Sequence, residues 1–180
     1  KKMLEKIKEA KVIFSCLEKE HVDIVKFVGG CVRKALSNEF IDDIDLATSH
    51  EPDKVKEKLT NKGIKVIDTG ISHGTVTALL NKKRFEITTL RKDVSTDGRH
   101  ANVEFTSNWK EDALRRDFTI NAIYADIDGR IFDPLKGISD LQTGKIKFIG
   151  TPEKRIQEDY LRILRYFRFF TQYSKTDYDH

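Results

Sequence analysis

The chain has 180 residues, of which 38% are hydrophobic and 34% charged, and a formal net charge of +4. That balance is globular and rules out a disordered chain; the length fits one domain, or one domain and the start of another. No 18-residue apolar run is available for a membrane span, residues 1–10 lack the apolar core of a secretory signal, and two cysteines are too few for a disulfide-built fold. Cys16 and Cys31 are therefore expected as buried thiols in a reducing compartment, the cytoplasm, while the charge by itself singles out no partner.

In chain order, Leu4, Ile7, Lys11, Phe14 and Leu17 recur at helical spacing and predict an amphipathic helix over residues 3–19. Residues 24–28 form a short β-branched strand ended by Gly29-Gly30, and residues 31–36 a short helix. A second strand follows over 43–48, then a helix to about residue 61 with Pro52 in its first turn and Gly63 at its stop. Strands are predicted over 64–67, 75–80 and 84–90, the last two joined by a polar turn at Asn81-Lys82-Lys83. Residues 92–108 are polar and poor in periodicity. Helix resumes over 109–116, followed by a strand over 122–127 and a turn at Asp128-Gly129. Thr151-Pro152-Glu153 opens a long helix whose stripe runs through Ile156, Tyr160, Ile163, Leu164 and Phe167. That stripe is wide enough to need a partner surface, so a further helical region is expected beyond it.

The pattern Asp42-Asp43-Ile44-Asp45-Leu46 carries the most chemistry. On a strand, Asp43 and Asp45 share one face while Ile44 and Leu46 enter the core. Two carboxylates on one face repel unless a cation joins them, and a hard oxygen site suits Mg²⁺. Glu86 and Thr88 share a face of a later strand, opposite Phe85 and Ile87, so Glu86 would complete a three-carboxylate cluster if the strands are neighbours. The plain alternative is a solvated acidic strand face. Gly29-Gly30, thirteen residues before Asp43, puts a tight turn with free amides ahead of a helix. Arg33 adds a planar cation suited to phosphate oxygens. Alone the turn is a structural feature; beside a metal-binding pair it makes a nucleoside-triphosphate site.

Val28-Gly29-Gly30-Cys31-Val32-Arg33, followed by Asp43-Ile44-Asp45-Leu46-Ala47-Thr48, resembles the opening motif of the class II tRNA nucleotidyltransferase and bacterial poly(A) polymerase family. The resemblance continues in order through Gly70-Ile71-Ser72-His73-Gly74-Thr75-Val76-Thr77, Phe85-Glu86-Ile87-Thr88-Thr89-Leu90-Arg91 and Arg115-Arg116-Asp117-Phe118-Thr119-Ile120-Asn121-Ala122. It ends with Asp133-Pro134, Gly137, Asp140 and Leu141, and with Glu158-Asp159-Tyr160-Leu161-Arg162, covering about residues 24 to 170. Lys34 stands where the family usually has aspartate.

The resemblance implies an α/β (α+β) fold, a polymerase-β-like head with a small twisted mixed sheet flanked by helices. Residues 1–149 would be that catalytic head and 150–180 the start of a helical neck, with the tRNA-holding body and tail of the full enzymes lying outside this chain. It implies that an RNA 3′-hydroxyl attacks the α-phosphate of CTP or ATP and releases pyrophosphate, with two Mg²⁺ ions held by Asp43 and Asp45. Glu86 is the third carboxylate, binding metal or holding a ligand of it. Gly29, Gly30 and Arg33 would hold phosphates; Arg116 and Asp117 the sugar and phosphates. Glu158, Asp159 and Arg162 would read the base, Asp159 and Arg162 from one face of one helix. Asn121 and Arg165 complete the nucleotide-binding set.

The segment 75–91 resembles the CCA-adding branch more than the poly(A) branch, although Asn81-Lys82-Lys83-Arg84-Phe85 partly echoes the latter's basic element. The partners implied are the tRNA 3′ end, CTP and ATP. Poly(A) addition is the rival activity and a nucleotide-binding module without catalysis the rival class. Other conspicuous residues have plainer expectations: His21, His50 and His100 at the surface, His73 in a turn without metal, Trp109 as a helix anchor, and Tyr160, Phe167 and Phe169 packed in a core.

Overall fold

The computed structural model describes residues 2–19, 23–70, 73–97 and 100–175, and the side chains of all of these but residues 2–6, 93–97 and 100–103. Its centre is a seven-stranded sheet in the order β3-β4-β5-β2-β1-β8-β9. The strands are β1 (Val25–Val28), β2 (Ile44–Thr48), β3 (Lys65–Gly70), β4 (Thr75–Leu80), β5 (Lys83–Thr89), β8 (Tyr124–Ala125) and β9 (Ile131–Phe132). Every pairing is antiparallel except β2 with β5, which is parallel.

The two-residue period of the strands sorts their side chains onto two faces. Val25, Ile44, Leu46, Val76, Ala78, Phe85 and Ile87 face one way and pack against α1 (Lys2–Leu17) and α3 (Pro52–Thr60) through Ile13, Phe14, Leu17, Val55 and Leu59. On the other face, Val28 and Ala47 pack with Leu90, Ala113 of α4 (Trp109–Leu114) and Tyr124. That second cover is partial, and the open part is where Asp45 and Glu86 stand.

The β4–β5 turn is tighter than the three polar residues suggest. Lys83 already pairs with Leu80, and Asn81 and Lys82 carry φ of +50° and +63°, the left-handed pair of a two-residue hairpin turn. Lys83 and Asn81 are pinned to α1 by Glu9, at 2.7 and 3.2 Å.

Four expectations change. The polar stretch after residue 91 is a hairpin, β6 (Arg91–Asp97) with β7 (His100–Phe105), forming its own two-stranded sheet. Among the described residues it pairs with no strand of the larger sheet. The strand over 122–127 shrinks to β8, preceded by a 3₁₀ turn, Thr119–Asn121, and paired with a β9 too short to be seen in the pattern. The long terminal helix is two helices, α6 (Pro152–Glu158) and α7 (Leu161–Tyr173), broken at Asp159 with φ −157° and ψ 102°. The Asp159 carboxylate accepts from the Leu161 amide at 3.0 Å, the local competition that makes aspartate a helix-end residue. Finally, α7 buries only part of its stripe. Phe169 is buried against Phe118, Ile120 and Leu141 of the head, whereas Tyr160 is 70% and Phe167 48% exposed.

Both cysteines are buried and free. His50 is half-buried, its Nε2 hydrogen-bonded with the Leu17 carbonyl at 3.1 Å, and not a surface residue. Trp109 does anchor α4, edge-on to Tyr124 at 5.4 Å. His21, Ile71, Ser72 and the His100 side chain lie outside the described residues. No helix among the described residues is long and apolar enough to cross a membrane.

Candidate active site

The parallel β2–β5 register sets Ile44 opposite Phe85, Asp45 opposite Glu86 and Leu46 opposite Ile87. The apolar members point to the helices, so Asp45 and Glu86 are adjacent on the open face. Asp43, just before β2, is exposed beside them. Burial pushes the Asp45 carboxyl up to about 6, and repulsion from Glu86 and then Asp43 adds to it; Arg116 opposes the shift. A carboxylate raised by two acidic neighbours suits a cation. The donors are hard oxygens, which fit Mg²⁺ and not a softer metal. Among the described residues no three acidic, histidine or cysteine side chains form a ready-made metal cage. Coulombic repulsion reaches farther than coordination distance, so the carboxylates influence one another without closing into a cluster.

Beside these strands, β1 ends in a turn whose Gly29 has φ +70° and ψ −126°, a conformation essentially closed to L side chains. The turn feeds α2 (Gly30–Leu36), whose first hydrogen bond runs from the Arg33 amide to the Gly29 carbonyl at 3.0 Å. The Arg116 guanidinium stands over it, with Nη1 4.0 Å from where a Cβ on Gly29 would lie. Arg116 is held from behind. Its Nε and Nη2 donate to Asp112 at 3.2 and 2.9 Å, and its Nε also donates to the Tyr124 hydroxyl at 3.1 Å. Tyr124 itself donates to Asp112 at 2.8 Å, and Arg115 Nε donates to the other Asp112 oxygen at 2.8 Å. Burial would raise the Asp112 carboxyl, but the two arginines and the tyrosine hold it below the usual range.

Arg33 also borders this turn, its Nη2 3.9 Å from where a Cβ on Gly30 would lie. It is 7% exposed and donates through Nη1 to Asn121 Oδ1, with its guanidinium over the Phe169 and Tyr173 rings at 4.6 and 5.2 Å. Asn121, 6% exposed, passes the contact on: its Nδ2 donates to Asp117 at 3.0 Å. Asp117 also accepts from the Phe118 amide and from Arg165 Nε, both at 2.8 Å, with Arg165 Nη2 in ion-pair contact at 2.5 Å. Burial works against the ionised form here too, and the Asn121 and Arg165 contacts overcome it, lowering the Asp117 carboxyl.

Glu158, Asp159 and Arg162 lie together at the α6–α7 break, but not as one helical face. Arg162 Nη1 donates to Glu158 at 2.6 Å and to the Arg155 carbonyl at 2.8 Å. The Asp159 carboxylate turns to the α7 backbone, so it does not share a helical face with Arg162 as expected, and Glu158 pairs with Arg162.

Three residues that build this site escape a reading by motif. Asp112 and Tyr124 orient Arg116. Arg155, buried, donates from Nη2 to the carbonyls of Arg115 and Arg116, the latter at 2.7 Å, tying α6 to the Arg-Arg-Asp segment. The four-residue spacing from Asp112 to Arg116 is the one local signal; nothing local marks Tyr124 or Arg155. The Asp133–Leu141 motif also acquires a task. Asp133 accepts from the first amides of α5 (Gly137–Thr143) at 2.8 and 2.9 Å, and Asp140 accepts from Thr119 at 2.6 Å. A Cβ on Gly137 would fall 2.2 Å from the Thr119 carbonyl oxygen. This segment buttresses the 3₁₀ turn that carries Asn121.

A mixed sheet flanked by helices, with paired carboxylates on adjacent strands and a glycine turn beside them, is the polymerase-β-like nucleotidyltransferase head. The sequence profile of the Poly A polymerase head domain matches residues 25–147, and the chain belongs to that family, the head shared with class II CCA-adding tRNA nucleotidyltransferases. It is 50% identical over 157 residues to the mitochondrial CCA tRNA nucleotidyltransferase 1 of Homo sapiens, covering 87% of this chain and 36% of that protein. It is 45% identical over 152 residues to the CCA-adding enzyme of Lactobacillus johnsonii, covering 83% and 37%. The Bacillus stearothermophilus CCA-adding enzyme in complex with CTP superposes with a TM-score of 0.79 at 39% identity, over 91% of this chain and 38% of that one. The chain thus spans little more than a third of the length of these relatives.

Proposed function

We propose that this chain is the catalytic head of a template-independent nucleotidyltransferase that builds the CCA end of tRNA from CTP and ATP, releasing pyrophosphate. Residues 1–149 form the head and 150–180 open a helical neck. The observation that carries the reading is the parallel register that sets Asp45 against Glu86, with Asp43 alongside and the Gly29 turn one strand away. The choice of tRNA over poly(A) is supported by the relatives described above, all CCA-adding enzymes.

Asp43 and Asp45 would hold two Mg²⁺ ions, with Glu86 as a further ligand or the support of one. Such ions acidify a hydroxyl nucleophile and offset charge on a transferring phosphoryl group. The chain's own residues do the rest. The Gly29 and Gly30 amides, Arg33 and Arg116 Nη1 bind the triphosphate, and the buried Asp112–Tyr124 pair keeps Arg116 charged and aimed. Asp117 accepts from the ribose, with Asn121 behind it. Arg162, Glu158 and Asp159 read the base edge, donors and acceptors together, with Arg165 beside them on the sugar side. A nucleotide must draw Arg162 away from Glu158 to use it fully.

The test is extension of tRNA lacking its 3′ end by the protein in the longest form its gene encodes, with each nucleotide supplied singly and then together. Addition of C from CTP, and of a terminal A only after it, is the expected result. Long A tracts on unrelated RNA would favour poly(A) addition, and no extension with Mg²⁺ present would favour a binding module.

A further inference from the structure

The carboxylates of the metal face are held by unequal means. Asp45 lies inside β2, set against Glu86 in the ladder to β5. Asp43 lies one residue ahead of β2 and belongs to neither of that strand's ladders. Asp42 and Asp43 are both exposed. A ligand outside the sheet needs another restraint, because every backbone or side-chain angle left free costs entropy when an ion closes on it. The restraint comes from α2. Lys34, in its last turn, donates from Nζ to Asp42 Oδ1 at 2.5 Å, and the same oxygen accepts from the Asp43 amide at 3.2 Å. Three residues earlier, the Cys31 thiol donates to the Asp45 carbonyl at 3.6 Å. The helix that leaves the glycine turn thus holds β2 at Asp45 and the segment before it at Asp42.

We propose that Lys34 is a positioning residue for the metal face: through Asp42 it fixes the backbone of Asp43 and so sets the direction of that carboxylate. This role rests on the reading of Asp43 and Asp45 as the Mg²⁺ ligands. Partners of a ligating carboxylate orient it, and here the chain of contacts is one link longer. The departure of this chain from its family then has a consequence. With a carboxylate at position 34, as is usual there, Asp42 would meet a like charge and swing off the Asp43 amide. Lys34 and Asp42 form a matched pair. Charge alone argues the opposite sign. A cation beside the carboxylate face disfavours a second cation, so removing Lys34 would tighten Mg²⁺ binding if it acted only through its field. Positioning requires weaker binding on the same substitution.

The experiment measures two Mg²⁺ midpoints at constant ionic strength in the longest form of the protein. One is for the metal-induced rise in melting temperature without nucleotide, the other for the single-turnover rate of CTP addition. Wild type is compared with Lys34→Arg, Lys34→Ala, Lys34→Asp, and Lys34→Asp combined with Asp42→Asn. Lys34→Ala should raise both midpoints about fivefold, the reach of a partly exposed ion pair. Its melting temperature in EDTA should stay nearly unchanged. Lys34→Asp should raise the midpoints further, and Lys34→Arg should match the wild type. Adding Asp42→Asn to Lys34→Asp should bring them back, since an amide can donate to the new carboxylate and still accept from the Asp43 amide. A midpoint that falls or stays level in Lys34→Ala, or no recovery in the double variant, would overturn the proposal and leave the metal reading standing. A wild type without a Mg²⁺ response, or Asp45→Ala with the wild-type midpoints, removes the metal reading and this role together.

Discussion

The two halves of the site handle charge in opposite ways. On β2 and β5, Asp43, Asp45 and Glu86 crowd one open face, and the carboxyl of Asp45 is pushed up to about 6. Around Arg116 and Asp117, mostly buried acids pair with arginines at 2.5 to 3.2 Å, and the carboxyls of Asp112 and Asp117 lie below the usual range. The first region keeps an excess of negative charge that invites a cation and costs the fold stability. The second pairs its carboxylates with arginines, two of them sharing Asp112, so it offers a ligand fixed geometry and positive charge to spare. Removing a carboxylate should therefore have opposite effects on stability in the two places, and the contrast can be broken experimentally.

The largest effect is expected on activity. Asp45→Ala should lower nucleotide addition by about a thousandfold or more, since metal stabilisation of the transferring group is worth several kcal/mol and each 1.36 kcal/mol is tenfold in rate. Its melting temperature without divalent ions should stay level or rise, because a repelling charge has gone. Single-turnover CTP addition and melting in EDTA check both; near-wild-type turnover with Mg²⁺ would remove the metal assignment.

Asp112→Ala is the mirror image. It leaves Arg115 and Arg116 without their shared buried partner, and losing one member of such a set costs about 3–5 kcal/mol. Urea unfolding should show the loss at unchanged m-value. A cost below about 1 kcal/mol would mean that water already reaches these arginines and that Arg116 is not rigidly held.

The smallest effect is a slope with pH. Asp45 binds its proton more tightly in the folded chain than in the unfolded one, so between the ordinary carboxylate value of 3.8 and about 6 the folded state carries more protons. The Asp45 contribution to the stability of the metal-free protein should then fall as pH rises through that window, and level off above it. Asp45→Asn should flatten this contribution, seen as a smaller fall in melting temperature between pH 4 and 6.5 in EDTA. An unchanged slope would place the repulsion elsewhere.

How legible each region is in the sequence follows from the range of its interactions. Alternation along residues 43–48 and 84–88 is enough to put Asp43, Asp45 and Glu86 on the face away from Ile44, Leu46, Phe85 and Ile87, and the β2–β5 register agrees for Asp45 and Glu86, with Asp43 just before the strand. The period of a strand is local, so it survives in the string. The Asp112–Arg116 spacing holds a local hint of the buried network. Tyr124 and Arg155 reach it across 12 and about 40 residues, and no periodicity marks such contacts. The break at Asp159 is hidden for a related reason. The apolar stripe runs on through both helices, while a single carboxylate accepting from the Leu161 amide decides that the backbone turns.

The sequence by itself determined the family, the carboxylate strands and the glycine turn, because these rest on neighbours in the chain and on motifs kept in order. Only the tertiary structure decided that Arg33, beside the glycine turn, also stacks on the α7 rings, that Asn121 links it to Asp117, and that Glu158 rather than Asp159 holds Arg162. A guanidinium suits a phosphate, a carboxylate or an aromatic face equally well. Which of them it meets depends on what the fold brings within a few ångströms, and residue type does not specify that.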